Sequence, residues 1–116
     1  MIWKQKKNCE HASYKFEADF TADPIWCKDC GENLDIDEFP LSDKLQQELW
    51  EWGAEYGKWI DLDTDSLKEN GLKLEKNHNE KGLQLFQEVK KQLGEKYPIV
   101  FVPSKSAQLY NILKDN

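Results

Sequence analysis

The sequence contains no arginine. All sixteen of its basic residues are lysine, they stand against 22 acidic residues, and the formal net charge is −6. Arginine supplies the planar fork that binds a phosphate group or a guanine through two hydrogen bonds at once. An acidic chain without that fork is poorly suited to nucleic acid, so we expect no nucleic-acid partner. A genome rich in A and T, which favours lysine codons, is the alternative reason for the missing arginine.

Long apolar segments are missing as well. The sequence has no uninterrupted apolar run of the roughly 18 residues that a membrane-spanning helix needs. Three early lysines, Lys4, Lys6 and Lys7, are not followed by the apolar stretch of a secretory signal peptide. These absences predict a protein with no membrane partner that is located in the reducing cytoplasm.

Cysteine is scarce, and its three copies lie in two short clusters near the start of the chain. The clusters are Cys9-Glu10-His11 and Trp26-Cys27-Lys28-Asp29-Cys30-Gly31. A Cys-x-x-Cys turn brings two sulfurs to one ion, and the glycine after it permits backbone with φ above zero. Zn²⁺ takes four tetrahedral ligands from thiolate sulfur and imidazole nitrogen, and a closed set of four is typical of a structural site. We therefore predict that one structural zinc ion is bound by Cys9, His11, Cys27 and Cys30.

Other interpretations of these clusters stay open on the sequence alone. In one, the thiols are simply reduced and buried. In another, Trp26-Cys27-x-x-Cys30 is a thioredoxin-like redox site, although no helical pattern follows it as such sites require. Because a single residue separates Cys9 from His11, His78 is the alternative fourth zinc ligand. A zinc deaminase is excluded, since it needs His-x-Glu and Pro-Cys-x-x-Cys.

The N-terminal part of the chain has the pattern of a small β unit. Residues 13–20 alternate between apolar and polar side chains, which predicts a half-buried strand. After a turn at residues 21–24, a return strand from Ile25 would bring Cys27 back toward Cys9. Near the other end of the chain, an apolar run at residues 98–102 predicts a strand that is buried on both faces and pairs with this unit.

Two long helices and a short one are predicted in the remaining sequence. Ser42 is a candidate N-cap for a first helix that continues to about Ile60, with an apolar stripe at Leu45, Leu49, Trp52, Tyr56 and Trp59. We expect these aromatic residues and Trp50 to lie in the core, with a binding surface as the alternative. The second helix runs from Leu74 to Leu93 and ends at Gly94, and Ser104 can cap a short last helix.

The segment Asp61-Leu62-Asp63-Thr64-Asp65 begins like a calcium-binding EF-hand loop. Ser66 and Leu72 occupy the places of the glycine and glutamate that such a loop needs, so we predict a helix-to-helix connection instead. The whole pattern predicts one α+β domain over residues 1–116. A zinc-stabilised β-hairpin or sheet at residues 1–40 packs against the helical part at residues 41–116, which contributes the strand at 98–102.

The acidic residues are concentrated around the Cys27–Cys30 turn. Residues 16–43 contain nine acidic residues and one lysine, a net charge of −8, whereas residues 1–15 have a net charge of +3. The acidic stretch would repel a phosphate backbone. It suits a basic protein partner, or it is simply a well-solvated surface.

Four stretches together resemble a group of short bacterial proteins of no established activity. They are Ala22-Asp23-Pro24-Ile25-Trp26-Cys27-x-x-Cys30-Gly31-x-Asn33-Leu34-Asp35, Glu55-Tyr56-Gly57-x-Trp59-Ile60-Asp61, Leu74-Glu75-x-x-His78-Asn79 and Pro103-Ser104. The resemblance covers most of the chain from about residue 9 and includes a zinc-ribbon-like CxH…CxxCG unit. The resemblance implies a full-length protein rather than a fragment. Because the group has no established activity, it implies no function for this chain.

We expect a non-catalytic, zinc-stabilised protein-interaction module. Small acidic α+β proteins of bacteria often bind another protein, for example as an immunity protein or antitoxin that neutralises a toxin. Two alternatives stay open. One is a zinc-dependent enzyme in which water takes one ligand position and Glu10 or His78 moves a proton. The other is a nucleic-acid-binding zinc ribbon, which the negative charge disfavours.

Overall fold

The computed structural model of the protein describes residues 9–114 and confirms the α+β class. Residues 1–8, which begin the predicted β unit, lie outside the described residues. The strands are β1 (Tyr14–Phe16), β2 (Ile25–Cys27), β3 (Asn33–Leu34), β4 (Ile60–Asp61), β5 (Ser66–Leu67) and β6 (Ile99–Phe101), and a 3-10 turn covers Ile36–Glu38. The helices are α1 (Asp43–Ala54), α2 (Gly71–Leu93) and α3 (Ser106–Lys114).

Strand β1 joins the two ends of the described chain in a sheet of order β3-β2-β1-β6. It pairs antiparallel with β2, which places Tyr14 opposite Cys27, and parallel with β6, which places Tyr14 opposite Ile99. These pairings confirm the predicted hairpin and the predicted return of the late strand. The strand is shorter than predicted, because a turn in which the Ala22 amide donates to the Asp19 carbonyl interrupts the alternating segment.

The prediction that the late strand is buried on both faces was wrong. Ile99 is buried, but Val100 on the opposite face is 44% exposed. In register with Val100, that face carries Lys15 and Trp26, both half-buried, with the lysine Nζ 5.9 Å from the indole ring centre. The helices therefore cover one face of the sheet, and the other meets solvent, as is common where antiparallel pairs dominate.

Helix α1 begins as the sequence predicted and ends earlier. The Ser42 hydroxyl oxygen accepts a hydrogen bond of 3.1 Å from the Leu45 amide, which confirms the N-cap. The helix ends at Ala54 rather than near Ile60, and Gly57 adopts a φ of 86°, which a helix cannot contain. A side chain at Gly57 would also collide with Phe20, since a Cβ there would lie 2.3 Å from the Phe20 ring.

The segment predicted as a plain helix-to-helix connection contains a short hairpin. Strands β4 and β5 pair antiparallel, with Ile60 opposite Leu67. The Asp61 carboxylate accepts hydrogen bonds from the amides of Asp63 (3.0 Å) and Thr64 (3.4 Å), which closes the turn locally. Asp65 completes the turn with a φ of 51°.

Helix α2 spans the core and ends where the sequence predicted. It begins at Gly71, three residues before the predicted start, and its C-cap is Gly94, which has a φ of 73° and donates its amide to Lys90. The main core lies between the sheet, α1 and α2; its most buried members are Phe16, Ile25, Ile36, Leu45, Leu49 and Val89. A smaller cluster of Trp59, Ile60 and Ala107 anchors α3.

Candidate metal centre

Two unusual backbone conformations bring the predicted zinc ligands together. His11 has a φ of 53°, a left-handed conformation that histidine tolerates better than most residues. The bend there turns the His11 side chain toward the Cys9 thiol across a single intervening residue. In the second cluster, Gly31 has a φ of 80°, and its amide donates a hydrogen bond of 2.9 Å to the Cys27 carbonyl. Nothing lies within 4 Å of a Cβ at Gly31, so its backbone conformation, rather than space, requires glycine.

The β1–β2 pairing joins the two clusters. The Lys28 amide donates to the Ser13 carbonyl at 2.9 Å, which extends the pairing of Tyr14 with Cys27 into the Cys-x-x-Cys turn. The Tyr14 hydroxyl donates to the His11 carbonyl and so ties the left-handed residue to β1. The sheet register therefore sets the position of both clusters.

The four predicted ligands form one compact group, which we call the Cys3His cluster: Cys9, His11, Cys27 and Cys30. Their ligand atoms all lie within 4.8 Å of one another, and the set could hold a metal ion. The Cys9 and Cys27 sulfurs are 3.6 Å apart, and Cys30 Sγ lies 3.7 Å from His11 Nδ1. A zinc tetrahedron with bonds of about 2.3 Å to sulfur and 2.0 Å to nitrogen has edges of roughly 3.5 to 3.8 Å. These two of the six separations match the edges of such a tetrahedron, and the other four are at most 4.8 Å.

The three thiols are unpaired, and two of them have shifted pKa values. Burial raises the pKa of the Cys27 thiol, but hydrogen bonds from the Cys30 and Asp29 amides and from His11 outweigh burial and lower the pKa from 9.0 to about 7. For Cys9, a backbone hydrogen bond from His11 lowers the pKa, yet desolvation and the neighbouring thiols raise it to about 11. Amide donors around Cys27 thus favour the thiolate, the form that binds a metal.

A carboxylate group lies close to the second ring nitrogen of His11. His11 Nε2 lies 3.5 Å from a Glu32 carboxylate oxygen, on the opposite side of the ring from Nδ1, which faces Cys30. Contact with Cys27 raises the pKa of His11, desolvation opposes it, and the Glu32 charge adds to the increase. Histidines that bind metals commonly donate their second ring N–H to a carboxylate, which fixes the tautomer and the ring orientation. Glu32 occupies that position.

His78, the alternative fourth ligand, is not part of the Cys3His cluster. It is buried between α1 and α2, where Nε2 lies 3.1 Å from the Trp52 carbonyl oxygen and the imidazole stacks on the Trp52 indole. Its neighbourhood is aromatic, with Trp59 and Tyr56 also against the ring. Packing explains why His78 shares a face with the apolar residues of α2.

The expectation that all aromatic residues of the predicted first helix lie in the core was wrong for one of them. Trp52 and Trp59 are buried, whereas the Trp50 side chain is 66% exposed. A sequence signal for this difference existed, because Trp50 lies outside the apolar stripe that includes Leu45, Leu49 and Trp52. Phe20, the last apolar residue of the alternating segment 13–20 that predicted a half-buried strand, is 48% exposed.

None of the helices in residues 9–114 has the length and apolar character that crossing a membrane requires. Among protein families, a model described as Serratia CdiI immunity protein-like matches residues 12–104. The matched region contains Cys27 and Cys30, while Cys9 and His11 lie just before it. A search of curated proteins finds no match.

Proposed function

The chain belongs to the Serratia CdiI immunity protein-like family, and we propose that it is an immunity protein that neutralises one toxin by binding it. The observation that carries this proposal is the family match over residues 12–104. The matched region begins two residues before β1 and ends two residues before α3. An immunity protein acts through its surface, so its fold must present a rigid face to the toxin. The partner is therefore a protein, and no catalytic step is assigned to this chain.

The Cys3His cluster fits the role of a structural zinc site in this proposal. The sheet strands are two or three residues long, and the buried side chains of the β unit, such as Phe16, Ile25 and Ile36, pack into a core that is shared with α1 and α2. Small units of this kind commonly depend on a metal for stability. A zinc ion bound by four protein side chains has no place left for a reactive water, which favours a structural role over an enzymatic one.

Zinc is preferred over other metals because of the donor set. Three thiolates and one imidazole select zinc among the common divalent ions, whereas magnesium and calcium prefer oxygen ligands. The lowered pKa of Cys27 supplies one ready thiolate near neutral pH. Cys27 is fully buried and Cys9 and Cys30 are half-buried, so the bound ion would be largely shielded from solvent.

Co-expression with candidate toxins, cloned from the genes that neighbour this one, tests the proposed function. Cells that produce the toxin together with this protein should grow, and the two purified polypeptides should form a complex with a dissociation constant in the nanomolar range or tighter. An unrelated toxin of similar charge serves as the control. Growth arrest by every candidate toxin in the presence of this protein, with no complex detected, would contradict the proposal.

A further inference from the structure

A shallow groove of about 400 Å³ lies between the β1–β2 turn and the C-terminal half of α1. We call it the aromatic groove and define it by Phe20, Pro24, Trp50, Gly53, Ala54 and Tyr56. Phe20 and Trp50 are 48% and 66% exposed. Aromatic residues are enriched in protein interfaces, and tryptophan and tyrosine are prominent among the few residues near the interface centre that contribute most of the binding energy.

The walls of the groove are held in place by internal contacts. The Phe20 ring packs edge-to-face on Tyr56, with ring centres 4.9 Å apart, and rests on the backbone of Gly57. The Phe20 amide donates to the Asp19 carboxylate at 2.7 Å, which fixes the turn. A preformed wall costs little conformational entropy when a partner binds.

The floor is made of small residues. Gly53 and Ala54 follow Trp50 at the helical spacing of three and four residues, so they lie beside it on one face of α1. A Cβ at Gly53 would meet nothing within 4 Å, which shows that the groove is open at this point. The space therefore admits a side chain from outside.

The charge at the groove is negative. Asp23 is the one charged side chain among the described residues that line it, and Asp19 lies in the same β1–β2 turn, next to Phe20. The segment of residues 16–43, which includes this turn, has a net charge of −8. Complementary charge favours a basic partner and accelerates its association.

We propose that the aromatic groove is the docking site for the toxin, and that it receives an apolar side chain projecting from a basic toxin surface. This inference rests on the proposed immunity function and adds the surface that performs it. A second groove, between α1 and α2, is the less suitable site. Its rim mixes Glu48, Glu51 and Glu55 with Lys58 and Lys81, and Lys58 already pairs with Glu55 at 2.6 Å.

Binding of purified variants to the toxin identified by the co-expression test, measured by calorimetry, tests the docking site. Trp50→Ala should weaken binding by at least about 30-fold, the effect of removing an interface hot spot. Gly53→Leu, which fills the groove without disturbing the helix, should weaken it to a similar extent. Leu62→Ala, at a site that is 75% exposed and is not among the residues that line the groove, is the control and should retain wild-type affinity. Affinity of the wild-type protein should fall as salt is added.

The outcomes separate the two proposals. If the wild-type protein binds the toxin but Trp50→Ala and Gly53→Leu bind within threefold of it, the docking site is overturned and the immunity function stands. A loss confined to Glu48→Lys would place the interface on the second groove and also overturn this inference. If the wild-type protein neither binds the toxin nor protects cells from it, the immunity function fails and the docking site fails with it. Circular dichroism spectra equal to the wild type's confirm that each variant is folded.

Discussion

Trp52 and His78 hold α1 against α2 through two reciprocal hydrogen bonds. The Trp52 indole N–H donates to the His78 carbonyl at 2.9 Å, and His78 Nε2–H donates to the Trp52 carbonyl at 3.1 Å. Their rings stack with centres 4.5 Å apart and planes 8° from parallel. His78 Nδ1, the other ring nitrogen, is buried and has no hydrogen-bond partner in the described chain. A proton on Nδ1 would therefore be buried without an acceptor.

This contact makes stability depend on pH. Burial lowers the pKa of His78 below its ordinary value of 6.5, against weaker opposing effects of the Trp52 carbonyl and of Glu55 and Glu75. Below pH 6.5 the unfolded chain takes up a proton at this residue that the folded chain does not, so the stability present above pH 6.5 is lost as the pH falls. We predict a decrease of up to about 1.4 kcal/mol per pH unit from this residue.

Urea unfolding between pH 5 and 8 measures this effect. The His78→Gln variant is the matched control, because glutamine can still donate to the Trp52 carbonyl and does not titrate. Its unfolding free energy should vary less steeply below pH 6.5 than that of the wild type. Equal slopes would show that His78 is not responsible. The cluster residues are identical in both proteins, so their contribution cancels in the difference.

Two helical glycines should respond in opposite ways to the same substitution. Alanine is favoured over glycine in a helix by up to about 1 kcal/mol, so Gly53→Ala should stabilise the protein by up to that amount. At Gly82 a Cβ would lie 2.5 Å from the Trp52 ring, and overpacking of this kind costs about 1–3 kcal/mol. Gly82→Ala should therefore destabilise the protein. Thermal unfolding of both variants checks the prediction, and two stabilised variants would be evidence against close packing at Gly82.

Glu32 should strengthen metal binding without touching the metal. Removing a carboxylate that orients a histidine ligand typically weakens metal affinity by about 10- to 100-fold, and we expect this range for Glu32→Gln. Glu10→Gln is the control, since Glu10 lies between two cluster residues in the sequence and its side chain is exposed. Competition with a zinc chelator of known affinity gives both constants. Equal losses in the two variants would indicate only a general effect of charge.

Substitution of a cluster cysteine should unfold the N-terminal β unit. Structural zinc contributes free energy of the order of 10 kcal/mol to small zinc-binding units. Cys27→Ser and Cys30→Ser should each abolish protection from amide hydrogen exchange in β1 and β2. Lys28→Ala, which changes an exposed residue inside the same turn, should leave protection unchanged. Retained protection in the serine variants would argue against metal-dependent folding.

Local signals in the sequence predicted much of the fold. Ser42 and Gly94 mark the start of α1 and the end of α2 because a cap acts within one turn and can be recognised from its residue type. The alternation of apolar and polar side chains around Phe16 predicted β1, and the apolar run around Ile99 predicted β6, which pairs with β1 although it is distant in sequence. These features needed no knowledge of the rest of the chain.

Features that depend on tertiary contacts were missed. The apolar spacing continued through Trp59, but the chain leaves the helix before Gly57 and buries Trp59 against α3 instead. Strands β4 and β5 are two residues long, too short to produce an alternating pattern. Val100 was expected to be buried because the run around it is apolar, and only the arrangement of the sheet shows that one face meets solvent.

The candidate site was predictable in composition but not in geometry. The Cys-x-x-Cys spacing and Gly31 predicted the turn. The position of the His11 side chain next to the cysteines, in contrast, depends on a left-handed φ that the sequence does not specify. Trp50 lies outside the apolar stripe of α1, yet its place beside Phe20 depends on how the β1–β2 turn packs on Gly57. The exposed aromatic groove is therefore visible only once the fold is known.

The central claim is that the Cys3His cluster binds one structural zinc ion. Elemental analysis combined with zinc X-ray absorption spectroscopy on the protein purified without added metal tests it directly. We predict one zinc per chain, coordinated by three sulfur atoms at about 2.3 Å and one nitrogen atom at about 2.0 Å. A metal-free folded protein, or a coordination sphere that contains fewer than three sulfurs or a bound water, would contradict the claim.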